Sequence, residues 1–180
     1  MSDGDKVRQF EAMFRATYDR VLAYALRRAG AGEAEDVVAE TYATAWRRFD
    51  VISPDPLPWL YGVARRTLAN SRRSGRRRAQ LMSRLASERG RPSVAGSDPS
   101  ESVEDAALMR SALASLKEKD REALMLVAWD GLDNARASAA LGVTPQTFAV
   151  RLHRARRKLK QEIARLAQSA SPDDPPQEDR

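Results

Sequence analysis

Apolar residues along this chain recur mainly at steps of three and four, the spacing of one buried face of a helix. Residues 7–28 carry Phe10, Met13, Phe14, Thr17, Tyr18, Val21, Leu22, Ala25 and Leu26 in that rhythm, and Gly30 and Gly32 end the stretch. Residues 33–49 repeat it with Val37, Val38, Thr41, Tyr42, Ala45, Trp46 and Phe49. Asp36 and Glu40 fall off that stripe, one turn apart on a polar face. The segment DVISPDPLP at 50–58 has prolines at 54, 56 and 58, which prevent helix and predict a stiff connector. A third helix is predicted over 59–78. Leu60, Val63, Ala64, Thr67 and Leu68 face inward there, and Arg65, Arg72, Arg73 and Arg76 face outward.

Residues 86–102, ASERGRPSVAGSDPSES, lack apolar periodicity and read as a linker. The pattern resumes with Val103, Ala106, Met109, Leu113 and Leu116, then a helix expected to be capped by Asp120 and carrying Ala123, Leu124, Val127 and Ala128. Past 167 the chain turns polar, acidic and proline-rich, so 168–180 is expected to be a disordered tail. The picture is all-α, with two small helical domains at 1–85 and 103–167 joined by a flexible linker.

The sharpest local signal is GLDNARASAALGVTPQTFAVRLHRARRKLK at 131–160. A short helix over 133–141 stops at Gly142, which has no Cβ to oppose a left-handed conformation. A second helix starts with Thr144 as cap and Pro145 in its first position, where a missing N–H is harmless. Two helices joined by so tight a turn form a helix-turn-helix. In the second helix Phe148, Leu152, Ala155, Leu159 and Ile163 form the apolar stripe. Gln146, Val150, Arg154 and Arg157 point away, flanked by Thr147, Ala149, Arg151 and His153. That face suits a DNA major groove, and Thr144 and Thr147 sit where the helix dipole attracts phosphate. The plainer alternative is a surface helix with solvated arginines.

Charge narrows the choice. The 180 residues carry a formal net charge of +6 and a pI near 10.0, and eight arginines with no acid lie between positions 65 and 84. Such clustering favours a polyanionic partner, and Trp59 and Tyr61 at the start of the basic helix suit stacking on single-stranded bases. Core packing is the competing role for both rings. The chain has no cysteine and one histidine, His153, so neither a disulfide nor a thiolate or histidine metal site is expected, and no cofactor is implied. No apolar run approaches the roughly 20 residues of a membrane span, so no membrane partner is expected and the expected location is the cytoplasm. Asp36 and Glu40 suit acid/base catalysis only in a cleft. A solvated face, or a docking site for basic side chains, is the commoner use of such a pair.

Read together, AEDVVAETYATAW (34–46), WLYGVARRTLANSRR (59–73), SLKEKDREALMLVAWDGL (115–132) and LGVTPQTFAVRLHRARRKL (141–159) resemble, in order and spacing, a bacterial sigma factor of the sigma-70 family, extracytoplasmic-function group. The resemblance implies a region 2-like domain, a region 4-like helix-turn-helix domain, and a dissociable subunit that binds core RNA polymerase and promoter DNA. Asp36 and Glu40 would meet the polymerase clamp helices, and the second domain would dock on the flap. The loop with Ile52 and Asp55, Trp59 and Tyr61 would hold bases of the −10 element, with Arg65, Arg72, Arg73 and Arg76 along its backbone. Thr144, Gln146, Thr147, Ala149, Val150, Arg151, His153 and Arg154 would read the −35 element. An anti-sigma factor is a further partner of this kind.

The chain departs from the family pattern at several places. Ala39 stands for a usual glutamine, and Arg66 and Asn70 stand for a usual Asn and Asp. Arg136, Ala137 and Ser138 replace a Glu-Ile-Ala, and Ala149 and Val150 replace an Arg-Ser pair. The last change favours apolar contact with thymine methyls. A helix-turn-helix regulator that binds duplex DNA without polymerase is the rival reading. A recombinase would need a larger catalytic domain than the first half allows.

Overall fold

The computed structural model describes residues 3–85 and 101–170. These form α1 (Asp3–Leu26), α2 (Ala31–Arg47), a 3-10 turn (Phe49–Val51), α3 (Leu57–Leu85), α4 (Glu101–Ser115), α5 (Glu118–Ala128), α6 (Asn134–Leu141) and α7 (Pro145–Ala170). No strand occurs among the described residues, in keeping with the all-α expectation. Residues 86–100 of the expected linker and 171–180 of the expected tail lie outside the described residues. The boundaries shift slightly inward. Glu101 and Ser102 already belong to α4, and 168–170 complete the last turn of α7.

The helices fall into two compact units, and these are not simply the two halves of the chain. Unit 1 holds α1, α2, α3 and also α6, whereas unit 2 holds α4, α5 and α7 from Gln146 onward.

Unit 1 is built around aromatic side chains. Phe10 meets Trp46 and Phe49 edge-on, with ring centroids 5.1 and 5.8 Å apart, and Phe14 meets Tyr42 at 4.6 Å. Edge-to-face pairs of this kind add to the area they bury. The Tyr42 hydroxyl is 2.8 Å from that of Thr17, which also donates to the Met13 carbonyl. Burial, only partly offset by the Thr17 hydrogen bond, pushes the Tyr42 phenol up to about 12. Trp46 was expected within the buried stripe, but it lies at the margin and stays 41% exposed. The connector behaves as its prolines predict up to Pro56. Pro58 then sits in the first turn of α3, where its missing N–H costs nothing.

Unit 2 buries Ala112, Leu113 and Leu116 around the end of α4, Ala123 to Leu126 of α5, and Phe148, Leu152 and Ala155 of α7. Met109 and Ala106, placed on the inner face by spacing, are exposed. Asp120 does not cap α5. The cap position is Lys117, which makes no side-chain cap bond, and Asp120 lies within the first turn. Its side chain is 13% exposed and accepts from Lys158 Nζ of α7 at 2.5 Å, so it fastens two helices together.

Candidate nucleic-acid interface

The turn before α7 has the geometry that its sequence demands. Asp133 caps α6 by accepting from the Arg136 N–H at 2.8 Å. At the other end Gly142 has φ 64° and ψ 40°, in the left-handed region. Its N–H bonds to the Ala139 carbonyl at 3.1 Å and the Val143 N–H bonds to the Ser138 carbonyl at 3.0 Å, the paired bonds of a Schellman motif. A β-branched residue is strained at such a φ even in open space. Gly142→Val should therefore cost about 1–3 kcal/mol and loosen the turn, read as a lower urea midpoint; an unchanged midpoint would show that the turn tolerates another geometry.

Beyond the turn, Gln146, Thr147, Ala149, Val150, His153 and Arg154 are exposed and Arg151 is half-buried. Thr144, just before α7, is exposed as well. Gln146, Thr147, Val150, Arg151 and Arg154 line one shallow concavity with Asp120 and Lys158. The Asp120–Lys158 pair is part of its lining. The face carries Arg151 and Arg154 and includes Val150, which is 50% exposed. Such a surface offers donors to phosphate and base edges and one apolar contact to a thymine methyl.

In unit 1 the basic helix α3 exposes only part of the expected set of arginines. Arg65 is half-buried, and its Nε is enclosed without a hydrogen-bond partner among the described residues. Arg72 is half-buried and donates from Nη2 to the Arg28 carbonyl at 2.6 Å, which ties α3 to the chain just after α1. Arg73 is exposed and donates to Asn70 Oδ1 at 2.5 Å. The side chain of Arg76 lies outside the described residues. Arg66 and Arg77, outside the expected set, are exposed. They line an open groove between α2 and α3 with Glu40, Thr44, Arg48 and Asn70. Arg66, Asn70, Ser74 and Arg77 recur at steps of four, four and three, a stripe one residue round the helix from the expected one.

The two aromatic residues separate. Trp59 is half-buried. Tyr61 is 1% exposed and stacks on Tyr24, with centroids 4.5 Å apart and planes 16° from parallel. Its hydroxyl reaches the Arg20 carbonyl at 3.5 Å. It is a core residue and presents no face to a base, which corrects the expected stacking role.

Ile52 is half-buried beside a shallow groove lined by Met13, Phe49, Pro54 and Pro56. Asp55 is exposed but engaged: Arg136 of α6 donates from Nε and Nη2 to its two carboxylate oxygens, each at 2.8 Å. That hydrogen bonding holds the Arg136 guanidinium above its ordinary value. On α2, Asp36 and Glu40 are both exposed, as expected of an outward pair. Glu40 accepts from Arg47 at 3.0 Å and Thr44 at 3.2 Å, so its carboxylate is oriented along the helix surface. Among the described residues no three His, Cys, Asp or Glu side chains gather as metal ligands would, and no helix is long and apolar enough to cross a membrane.

A polar-faced helix-turn-helix and a second cationic groove among helices are features of the class of nucleic-acid-binding proteins. Comparison with known proteins makes this specific. Residues 13–78 match the family model described as Sigma-70 region 2, and residues 106–159 match Sigma-70, region 4. The ECF RNA polymerase sigma factor SigL of Mycobacterium tuberculosis is 35% identical over 163 residues, covering 86% of this chain and 91% of the relative. The RNA polymerase sigma-E factor of Streptomyces avermitilis is 29% identical, covering 91% and 89%. In fold, the chain is similar to the sigma factor RpoE solved with the anti-sigma factor NepR from Bartonella quintana, with a TM-score of 0.64 and 22% identity, covering 87% of this chain and 98% of that one. The chain belongs to the sigma-70 family of RNA polymerase sigma factors, in its extracytoplasmic-function group.

Proposed function

We propose that this chain serves transcription initiation as an alternative sigma factor, with its two surfaces dividing promoter recognition between them. The reading is carried by one observation: a region 2 match bearing a cationic α3 and a region 4 match bearing an outward-facing reading helix lie in one chain, in that order. A regulator that only reads duplex DNA has no use for the first of these. The α7 face from Gln146 to Arg154 would read the −35 element in the major groove. The α2–α3 groove with Arg66 and Arg77, together with the loop bearing Ile52 and Asp55, would hold the −10 strand. Asp36 and Glu40 would dock on the polymerase clamp, and helices of unit 2 on the flap. An anti-sigma factor completes the set of partners on the family's pattern, and the cytoplasm, where polymerase and DNA are found, is the expected location.

The test is run-off transcription from sheared genomic DNA with purified core polymerase, with and without the chain. Discrete new transcripts that depend on the chain are the expected result. A chain that shifts duplex DNA alone and leaves polymerase unaffected would instead be a helix-turn-helix regulator.

Two substitutions test the assignments. Arg154→Ala should weaken −35 recognition by about 1–3 kcal/mol if its guanidinium grips a guanine edge, and an unchanged footprint would remove it from the reading set. Reversing both charges, with Asp36→Lys and Glu40→Lys, should weaken co-elution with core polymerase at least tenfold while the melting curve stays within about 1 kcal/mol. Full co-elution of that variant would move the docking surface elsewhere.

A further inference from the structure

Three cations line the concavity on the outward face of unit 2, and they follow one row of α7: Arg151, Arg154 and Lys158, at steps of three and four. Among the described residues only Lys158 of the three has an acidic partner. Its Nζ donates to Asp120 Oδ2 at 2.5 Å, which is its sole hydrogen bond there. The two ends of the pair differ in exposure. The Asp120 side chain is 13% exposed and that of Lys158 43%, so the carboxylate lies behind and the ammonium in front. Two of the three ammonium hydrogens are thus left for an acceptor outside the chain.

A lysine in this position has no reason of its own to stay. Like charges one turn apart on a helix repel, and its four-carbon stem is free to swing into solvent. Asp120, from the first turn of α5, holds the ammonium in the row with Arg154 instead. Fastening α5 to α7 requires neither an exposed ammonium nor a place in the lining of the concavity, and the pair has both. The conformational cost of ordering the side chain is met in the free chain, so a ligand that needs a cation there does not meet it again on binding. The donors define the ligand's chemistry. A compact ammonium with two spare hydrogens, one turn beyond Arg154, suits a phosphate oxygen; the paired acceptors of a base edge suit a planar fork.

We propose that Lys158 grips a single backbone phosphate of the duplex that α7 reads, and that Asp120 is the residue that positions it. This rests on the reading of the Gln146 to Arg154 face as the duplex-binding surface. Lys158 then fixes the register of the helix in the groove without a sequence preference of its own, whereas Arg154 supplies one. Asp120 acts only through the lysine.

The experiment uses the full chain with core polymerase, and the chain alone in parallel, on a duplex selected by the parent chain from a random-sequence library. Each phosphate in turn is replaced by an uncharged methylphosphonate. One replacement should weaken binding by the parent chain about tenfold. Lys158→Ala should weaken binding to the unmodified duplex by a similar factor, lower the slope of log affinity against log salt by about 1, and make that one replacement harmless. Asp120→Asn keeps the lysine but frees it, and should cut the effect of the replacement to about threefold or less; Asp120→Glu should restore it. A merely structural pair would weaken binding to every duplex equally and leave the dependence on that phosphate as it is in the parent, which would overturn the proposal. A selected duplex that loses affinity with Gln146→Ala and Arg154→Ala but not with Lys158→Ala would remove the phosphate contact alone. If no duplex is selected under either condition, the reading of α7 fails and the proposal with it.

Discussion

Phe148→Ala should cost unit 2 about 3–5 kcal/mol, a large part of what holds a unit of this size together. The ring is fully buried at the start of α7, one residue from Thr147 and two from Gln146 and Val150 on the outward face. Truncation removes the transfer free energy of the ring and leaves a cavity that rigid helices refill only in part. The same side chain sets the rotation of α7, because the helix can present Gln146 and Arg154 outward only while Phe148, Leu152 and Ala155 point in. Denaturant melting followed by circular dichroism should show a shifted transition, and duplex binding should fall with it. Val150→Ala, two residues on and half-exposed, should change stability by no more than about 0.5 kcal/mol. Equal effects at 148 and 150 would mean that α7 is rotated from the position described.

Tyr61→Ala should cost unit 1 a similar amount, about 3–5 kcal/mol, since a fully buried ring and its stack on Tyr24 are both lost. Tyr61→Phe keeps the ring and gives up only a long hydrogen bond to the Arg20 carbonyl, so about 1 kcal/mol or less is expected. The informative readout is strand binding per folded molecule, which Tyr61→Phe should leave unchanged. A variant that keeps its stability but loses strand affinity would return Tyr61 to the DNA-binding set.

The contrast between Tyr61 and Trp59 shows where reading by composition stops. Both are aromatic residues at the mouth of a basic helix, and nothing in their type says which turns inward. Tyr61 does so because Tyr24 of α1 supplies a parallel ring for it. The arginines teach the same lesson. Adjacent Arg65 and Arg66 differ by about 100° around α3, enough to half-bury one and expose the other. Arg72 finds the Arg28 carbonyl only because α3 passes the end of α1. Asp120 looked like a cap from its position before an apolar run. It is instead held by Lys158, 38 residues away, a pairing with no local signature.

What the sequence determined by itself was whatever depends on neighbours a few residues apart. Helix periodicity, the left-handed Gly142 and the outward face of α7 all follow from local sterics and hydrogen bonding, and all were legible. The order of motifs placed the chain in its family for the same reason, since each motif is a local run. Only the tertiary structure decided which face of α3 is free, that Tyr61 is core, and that α6 rests on α3 through Gly62 with Arg136 closed on Asp55. Those outcomes depend on which distant segment comes within a few ångströms. Exposed charges and small residues accept many partners at nearly equal free energy, so the packing of whole helices makes the choice.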